Sequence, residues 1–224
     1  MQQLFEFFTK FVSRPDAVLM EFIAAYGYWI YAALFFIIFA ETGLIIASFI
    51  MPFLPGDALI FAIGMIAANE QQNHLHIYYI IPLLMLAAIL GDNLNYYVGR
   101  RFGSWLMANP GKFYIKPEYI DKATQFFNQH GKKAIIIARF MPVVRTVIPF
   151  ICGTTRVDYK TFLFYSLIGA FFWVGIVSVL GYYLGTYEFV QQNLEYFILG
   201  IIIAANSPLI LRLLRAKLSK NQKI

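Results

Sequence analysis

The sequence predicts an all-α integral membrane protein with about four transmembrane helices and two opposed re-entrant helical hairpins that form an inverted repeat. Apolar residues make up 60% of the chain and charged residues only 13%, whereas a soluble domain carries roughly 25% charged residues. Several apolar stretches reach the roughly 20 residues that a helix needs to cross a bilayer. Two further apolar stretches are interrupted by prolines and charges, so neither fits a simple span.

The predicted spans are long apolar stretches with few charges. They are Phe22–Ala40, Ile77–Gly99, Tyr159–Tyr187 and Leu194–Leu211. Ahead of them, residues 1–15 are rich in Phe and Leu and predict an amphipathic helix that lies in the membrane interface. We expect no cleavable signal peptide, because no small-residue cleavage pattern follows a basic start. Residues 16–215 are then a single membrane domain, followed by a basic tail over residues 216–224.

The two interrupted stretches cover residues 42–68 and 134–153. The first contains Met-Pro-Phe-Leu-Pro-Gly-Asp over residues 51–57, and the second contains Pro142 and Pro149. Each arm is about half a membrane long at roughly 1.5 Å per residue. Backbone that is broken at membrane depth must be buried in protein or line a wet cavity. Both stretches therefore predict hairpins that enter and leave on the same side.

The distribution of positive charge predicts that both termini are cytoplasmic. None of the 18 Lys and Arg residues falls in the predicted outer segments, Asn69–His76 and Glu188–Gln192. This sorting follows the positive-inside rule, so the net charge of +6 indicates topology and not nucleic-acid binding. The central loop, residues 100–133, is predicted to be cytoplasmic and to contain an amphipathic helix, Lys116–His130.

A weak internal repeat supports the opposed hairpins. Each hairpin is followed by a full span, and the two spans end in similar residues, Tyr96-Tyr-Val-Gly99 and Tyr182-Tyr-Leu-Gly185. Paired broken helices in an inverted repeat are typical of transporters.

Two arginines inside the second hairpin are the first candidate site residues. Arg139 and Arg145 flank Pro142, and guanidinium groups form paired hydrogen bonds with phosphate oxygens. Pro142 would also free backbone donors beside them, which favours an anion at the start of a half-helix. We expect the two arginines to bind a substrate phosphate. The alternative is that each is a structural arginine held by a carboxylate.

Glu41 and Asp57 bracket the first hairpin and are the candidate proton-coupling carboxylates. A charge within the bilayer costs several kcal/mol or more, so such a group must pair, meet water or work. A carboxyl group can carry a proton or pair with an arginine. The alternative is that both are solvated at the outer interface. For Asp57, Pro-Gly-Asp is also an ordinary turn or helix cap.

The remaining candidates support these four. Asp92, Asn95 and Tyr96 share a helical face and would line the same cavity, or only form interhelical hydrogen bonds. The chain-breaking residues Pro52, Pro55, Gly56 and Pro142 would shape the hairpins. His74-Leu-His76 is more typical of a solvated loop than of a metal site, and we predict no metal and no cofactor. Cys152, the single cysteine, is predicted to be a small buried apolar residue.

Five ordered motifs resemble the DedA family of bacterial inner-membrane proteins, whose domain is also called VTT or SNARE-associated. They are Glu41-Thr-Gly, Pro52-Phe-Leu-Pro-Gly-Asp57, Gly91-Asp92 with Tyr96 and Gly99-Arg100, Ala138-Arg-Phe-Met-Pro-Val-Val-Arg145, and Gly153. The resemblance extends from about Asp16 to Arg215, and the order of five motifs makes it far more specific than any one of them.

The resemblance implies a lipid translocase in the bacterial cytoplasmic membrane. Family members are linked to the return of undecaprenyl phosphate to the cytoplasmic leaflet and depend on the proton motive force. The family's essential acidic pair falls on Glu41 and Asp57, and its essential arginines fall on Arg139 and Arg145. The two acids are about four residues farther apart than in the family pattern, close to one helical turn. An offset of one turn would leave both acids on the same face of a helix, but it weakens the expectation that they contact one another.

The function predicted from these observations is a proton-linked flippase of a polyprenyl phosphate, with membrane lipid as its partner, and not an enzyme. One alternative is a small-cation/proton antiporter. A lipid pyrophosphate phosphatase is less favoured, because it needs a nucleophile beside the arginines and the second hairpin offers Thr146 but no Ser or His. A structural envelope partner would leave the intramembrane charges unexplained. The sequence leaves open whether protons or sodium ions are coupled, and whether the chain forms a homo-oligomer.

Overall fold

A computed structural model describes residues 15–44, 56–68, 76–108 and 117–192, together with residues 196 and 200. The regular structure within these residues is helical. The helices are α1 (Pro15–Tyr26), α2 (Trp29–Gly43), α3 (Gly56–Ala67), α4 (Ile77–Ala108), α5 (Pro117–His130), α6 (Ala134–Ala138), α7 (Pro142–Thr154), α8 (Tyr159–Leu184) and α9 (Glu188–Gln192), with a 3-10 turn at Gly131–Lys133. The predicted interfacial helix, residues 1–15, lies outside the described residues except for Pro15. The basic tail and nearly all of the span Leu194–Leu211 lie outside them too.

The prediction of one continuous first span, Phe22–Ala40, is wrong. Gly27 adopts a left-handed conformation, with φ +53°, and separates α1 from α2. Its amide hydrogen-bonds to the Ile23 carbonyl and closes α1 there. Glycine tolerates this conformation because it has no Cβ. Helix α2 also runs past the predicted end, so Glu41 lies inside a helix.

Two helices among the described residues are long and apolar enough to cross a bilayer. They are Ile77–Gly103 within α4, with 27 residues, and Tyr159–Leu184, with 26. The predicted span Tyr159–Tyr187 is therefore close to α8. The predicted span Ile77–Gly99 is too short, because α4 continues to Ala108. The first part of the predicted loop 100–133 is consequently helical.

Three apolar helices in the described part of the chain are shorter than a membrane span. They are Trp29–Gly43, Gly56–Ala67 and, within α7, Val144–Thr154. The predicted interruption of residues 134–153 is present: α6 ends at Ala138, and α7 begins at Pro142. Proline suits this first position because its missing N–H would have no partner there. The amphipathic helix predicted over Lys116–His130 is confirmed as α5.

Two of these short helices, α3 and α7, each pack against a long helix from the other half of the chain, whereas α2 packs on α4. Helix α3 packs on α8, and α7 packs on α4. Glycines allow the backbones to touch in both places. A methyl group at Gly181 would overlap the Phe61 carbonyl, and one at Gly99 would overlap the Phe150 carbonyl. Close approach through small residues is a usual way for helices to associate in membranes.

The same contacts recur one turn farther along both interfaces. Gly64 lies against the backbone of Ser178 and Tyr182, whereas Gly153 lies against that of Tyr96 and Arg100. The two interfaces thus repeat one pattern, in which Gly99 corresponds to Gly181.

Gly103 corresponds in the same way to Gly185, since each packs on the short helix of its interface. The sequence alignment of Tyr96–Gly99 with Tyr182–Gly185 was therefore wrong by one helical turn, about four residues. The Gly-x-x-x-Gly spacing, and not the paired tyrosines, marks the repeat.

Helix α8 begins with a side-chain cap on the exposed side of the fold. The Asp158 carboxylate accepts a hydrogen bond from the Thr161 backbone N–H at 2.9 Å. That hydrogen bond holds the pKa of Asp158 below its ordinary value. Because the folded-state pKa is lowered, the cap stabilises the helix fully above the ordinary pKa of aspartate. The contribution is lost as the pH falls through the lowered value.

We expect Gly181→Ala to destabilise the protein, because its Cβ would meet the Phe61 backbone, which cannot move aside cheaply. Overpacking of this kind costs about 1–3 kcal/mol. The matched control is Gly175→Ala on the same helix, where a Cβ would meet nothing within 4 Å. Thermal unfolding in detergent checks both. Equal midpoints for the two variants would contradict the tight α3–α8 interface.

Candidate functional site

Five charged side chains from five parts of the fold converge between the helices. We call them the charge cluster; it consists of Glu41 in α2, Asp57 in α3, Asp92 in α4, Arg139 in the turn after α6, and Arg145 in α7. Four of them are buried, with 3–8% exposure. Asp57 is more open, with 17% of its side chain exposed. The alternative that Glu41 is solvated at the outer interface is wrong.

Arg145 joins the two carboxylates that bracket the first interrupted stretch. Its Nη2 is ion-paired with Glu41 Oε1, and its Nη1 donates to Asp57 Oδ1 at 3.0 Å. Glu41 and Asp57 are thus brought to one guanidinium despite the long segment between them. Burial makes this pairing necessary, because an isolated charge in an apolar interior is expensive.

Arg139 forms a separate group with Asp92. Its Nη2 pairs with Asp92 Oδ2, and the Ser166 hydroxyl donates to the same carboxylate oxygen at 2.6 Å. Arg139 Nη2 also lies 3.2 Å from Ser166 Oγ. Gly169 makes room for the arginine, because a methyl group there would approach Arg139 Cδ to 3.0 Å. Asp92 is therefore part of the cluster and not only an interhelical contact.

Both arginines retain unused donors. Arg139 Nε and Arg145 Nε are buried and have no hydrogen-bond partner among the residues that the structure describes. Buried guanidinium N–H groups are ordinarily satisfied. The cluster can therefore donate further hydrogen bonds without losing those it already makes.

The chain breaks place these side chains. Met141 is extended, with φ −119° and ψ 106°, so the chain turns between Arg139 and the start of α7. The amide of Arg145 then bonds to the Met141 carbonyl in the first turn of α7. Gly56 begins α3 beside Glu41, where a methyl group would overlap the Glu41 carboxyl group. Pro142 and Gly56 thus shape the cluster, whereas Pro52 and Pro55 lie outside the described residues.

Asn95 on α4 hydrogen-bonds to the backbones of two helices that carry cluster residues, α2 and α7. Its Nδ2 donates to the Thr42 carbonyl at 2.7 Å and to the Thr146 carbonyl at 3.4 Å. These carbonyls follow Glu41 and Arg145 directly in the chain. Asn95 therefore fixes the α2 and α7 backbones next to two charged residues.

Tyr96 contacts groups outside the charge cluster, although it shares a helix with Asp92, and its hydroxyl accepts a hydrogen bond from Arg100 Nη1 at 3.3 Å. Its hydroxyl donates to the Val157 carbonyl at 2.6 Å, and its ring stacks on Phe162 with centroids 4.6 Å apart. It therefore packs the end of α7 against α8. His76 is exposed, and His74 lies outside the described residues.

The sequence reading missed two side chains on α8. Trp173 Nε1 donates to Asp57 Oδ1 at 2.8 Å, and its ring lies against the guanidinium of Arg145, 5.0 Å from centroid to carbon. Ser166 supports Asp92, as described above. Ser166, Gly169 and Trp173 follow an i, i+3, i+7 spacing, which places them on one face of an apolar helix. That pattern of small, polar and aromatic residues was the available signal.

Comparisons with known proteins agree with one another. The VTT domain model matches residues 54–183. Protein DedA of Escherichia coli K12 is 42% identical over 214 residues, which cover 96% of this chain and 95% of that protein. An uncharacterized membrane protein of Mycobacterium leprae is 38% identical over 77% of this chain and 74% of its own length. Inner membrane protein YqjA of Escherichia coli K12 is 34% identical over 70% and 68%, respectively. No solved structure matches the chain.

The pairing within the charge cluster predicts which double substitutions compensate. Arg139→Gln alone should cost about 3–5 kcal/mol, because it leaves the buried Asp92 carboxylate unpaired. Adding Asp92→Asn should recover much of that loss, whereas adding Glu41→Gln should not. Thermal unfolding of single and double variants forms the cycle that measures this coupling. Equal recovery by the two second substitutions would contradict two separate groups.

Proposed function

The chain belongs to the VTT-domain family, which includes the DedA proteins, and from this premise we propose that this membrane protein moves a phosphate-bearing lipid between leaflets. The substrate class that we propose is undecaprenyl phosphate or a related polyprenyl phosphate, and the step is linked to the proton motive force. The observation that carries the proposal is the buried cluster in which three carboxylates surround two arginines.

A multi-pass orientation in the bacterial cytoplasmic membrane, with both termini inside, fits the surface. Exposed aromatic side chains occur at the ends of the long helices; they include Tyr78 and Tyr79 at the start of α4, Phe102 and Trp105 near its end, and Tyr183 at the end of α8. Aromatic belts of this kind mark a membrane–water interface. The relative YqjA is itself called an inner membrane protein.

The repeated packing of α3 on α8 and α7 on α4 supports two opposed re-entrant segments in an inverted repeat. In such folds, broken helices meet near the middle of the membrane and hold the substrate and the coupling ion. The charge cluster lies where these short helices begin, at Gly56 and Pro142. A site reached alternately from each side is the arrangement that leaflet exchange requires.

Charge balance links a phosphate to protons. With every group ionised, the three carboxylates outnumber the two guanidiniums, so the cluster carries one excess negative charge. A phosphate that joins Arg145 adds more negative charge in a medium that solvates charge poorly. Proton uptake by Glu41 or Asp57 offsets it and also releases the arginine. The phosphate and the proton should therefore enter the cluster together and move in the same direction.

The two arginines have different roles in this mechanism. Arg145 is held by Glu41 and by the partly exposed Asp57, so its partners can exchange with a ligand. Arg139 is enclosed by Asp92, Ser166 and Gly169. We assign first contact with the phosphate to Arg145, and completion of the site to Arg139. A small-cation/proton antiporter would use the same carboxylates but would not need guanidinium groups.

A lipid phosphatase is a second candidate, because Ser166 places a hydroxyl beside Arg139 that the hairpin sequence alone did not supply. The Ser166 hydroxyl already donates to Asp92 and is fully buried. Release of inorganic phosphate by the purified protein, lost in Ser166→Ala, would favour this reaction over transport.

We expect reconstituted liposomes to exchange a labelled polyprenyl phosphate between leaflets faster when a pH gradient is imposed. Arg139→Ala and Arg145→Ala should each lower the rate by at least about tenfold, since each removes charge-assisted hydrogen bonds to the phosphate. The matched control is Arg101→Ala, which alters an exposed arginine on α4.

Normal exchange by inserted Arg139→Ala protein would overturn its role. If the inserted parent protein exchanges no lipid, proton and sodium fluxes become the decisive measurements.

We expect cysteine labelling to report that the residues before α4 face the periplasm and that the turn before α6 faces the cytoplasm, as the proposed orientation requires. Cys152 is the only cysteine and is buried, so Cys152→Ala gives a protein without thiols into which single cysteines can be introduced. In it, His76→Cys should react with an impermeant maleimide on intact cells, whereas Lys132→Cys should react only after permeabilisation. Both positions are exposed. The reverse labelling pattern would contradict the proposed orientation.

A further inference from the structure

Trp173 contacts three members of the charge cluster, and no role above requires a tryptophan. It is 2% exposed in the middle of α8. Its Nε1 donates to Asp57 Oδ1 at 2.8 Å. Its ring centroid lies 5.0 Å from the Arg145 guanidinium carbon and 5.9 Å from that of Arg139. One side chain therefore touches both groups of the cluster.

The indole stabilises an arrangement that would otherwise be unfavourable. Two guanidiniums repel each other strongly where charge is poorly solvated. A tryptophan ring attracts a cation to its face, and both arginines lie within the roughly 6 Å at which this attraction matters. The ring thus attracts both guanidiniums and offsets part of the repulsion between them.

The N–H end of the indole acts on a different residue. Asp57 Oδ1 accepts hydrogen bonds from both Trp173 Nε1 and Arg145 Nη1. An indole N–H is a donor only, so its sole suitable partner here is an acceptor oxygen. This bond fixes the orientation of Asp57, the most exposed carboxylate of the cluster.

We propose that Trp173 is a positioning residue that aligns Asp57 with Arg145 and couples that pair to Arg139. When Asp57 leaves Arg145, on protonation or on arrival of a phosphate, the indole loses its partner, and the change reaches the second arginine. The transport part of this inference rests on the proposed function; the positioning part does not.

The charged groups that bear on Trp173 come from every element packed around it. Asp57 on α3, Arg139 in the turn and Arg145 on α7 contact it directly. Glu41 on α2 and Asp92 on α4 act through the arginines that they hold. If the fluorescence of Trp173 changes with pH, substitutions are therefore needed to show which of these charged groups causes the change.

Fluorescence tests the positioning part without any lipid substrate. The chain has three tryptophans, Trp29, Trp105 and Trp173, so Trp29→Phe with Trp105→Phe leaves Trp173 as the only indole. In detergent we expect its emission to change with pH, and Asp57→Leu to remove that change. Asp158→Asn, at the exposed start of the same helix, should leave it intact. An emission without pH response, or a response that persists in Asp57→Leu, would overturn the proposal.

Leaflet exchange tests the consequence for transport. Trp173→Phe retains a ring face for the arginines but removes the N–H to Asp57. We expect about a tenfold slower exchange and a weaker response to the pH gradient, since a hydrogen bond to a charged group is lost. The thermal midpoint should fall by no more than a few degrees, because only one hydrogen bond is lost from a chain of this size. Trp29→Phe should exchange normally.

A Trp173→Phe variant with parental rate and pH response would overturn the coupling. If the parent itself exchanges no lipid, the proposed function fails, and the fluorescence result still decides whether Trp173 positions Asp57.

Discussion

The structure depends on the pairing of five charged side chains, four of them buried, in a chain that lipid surrounds. A single unpaired arginine or carboxylate at this depth would cost several kcal/mol or more. Arg145 is satisfied by Glu41 and Asp57, and Arg139 by Asp92. The starts of α3 at Gly56 and of α7 at Pro142 place Asp57 and Arg145 in the cluster, and small residues let the helices approach closely enough for the charges to meet.

Close helix contact is achieved by glycines at corresponding places in the two halves. Gly99 and Gly103 on α4 accept α7, and Gly181 and Gly185 on α8 accept α3. Because the two interfaces share one pattern, the short helices can begin at comparable depths. Their first turns then present Asp57 and Arg145 to one another. The packing of the long helices and the geometry of the ion pairs are therefore parts of one arrangement.

The cluster is asymmetric, and this asymmetry gives the proposed function its mechanism. Asp57 is the more open carboxylate, whereas Asp92 is enclosed with Ser166. Exchange of partners should thus begin at Asp57 and Arg145. The excess of carboxylates over arginines favours uptake of a proton with each phosphate. Trp173 contacts members of both groups, so a change at one of them need not remain local.

The membrane class, the long helices α4 and α8, the amphipathic helix α5, the break at Pro142 and the five charges of the cluster could all be predicted from the sequence. These follow from composition, apolar length and proline chemistry, which are local properties. Only the tertiary structure decided that Arg145 holds both Glu41 and Asp57, that Arg139 holds Asp92, and that Trp173 and Ser166 join them. It also divided the first span at Gly27 and shifted the repeat by one turn. Partner choice depends on which helix faces pack together, and no local pattern encodes that.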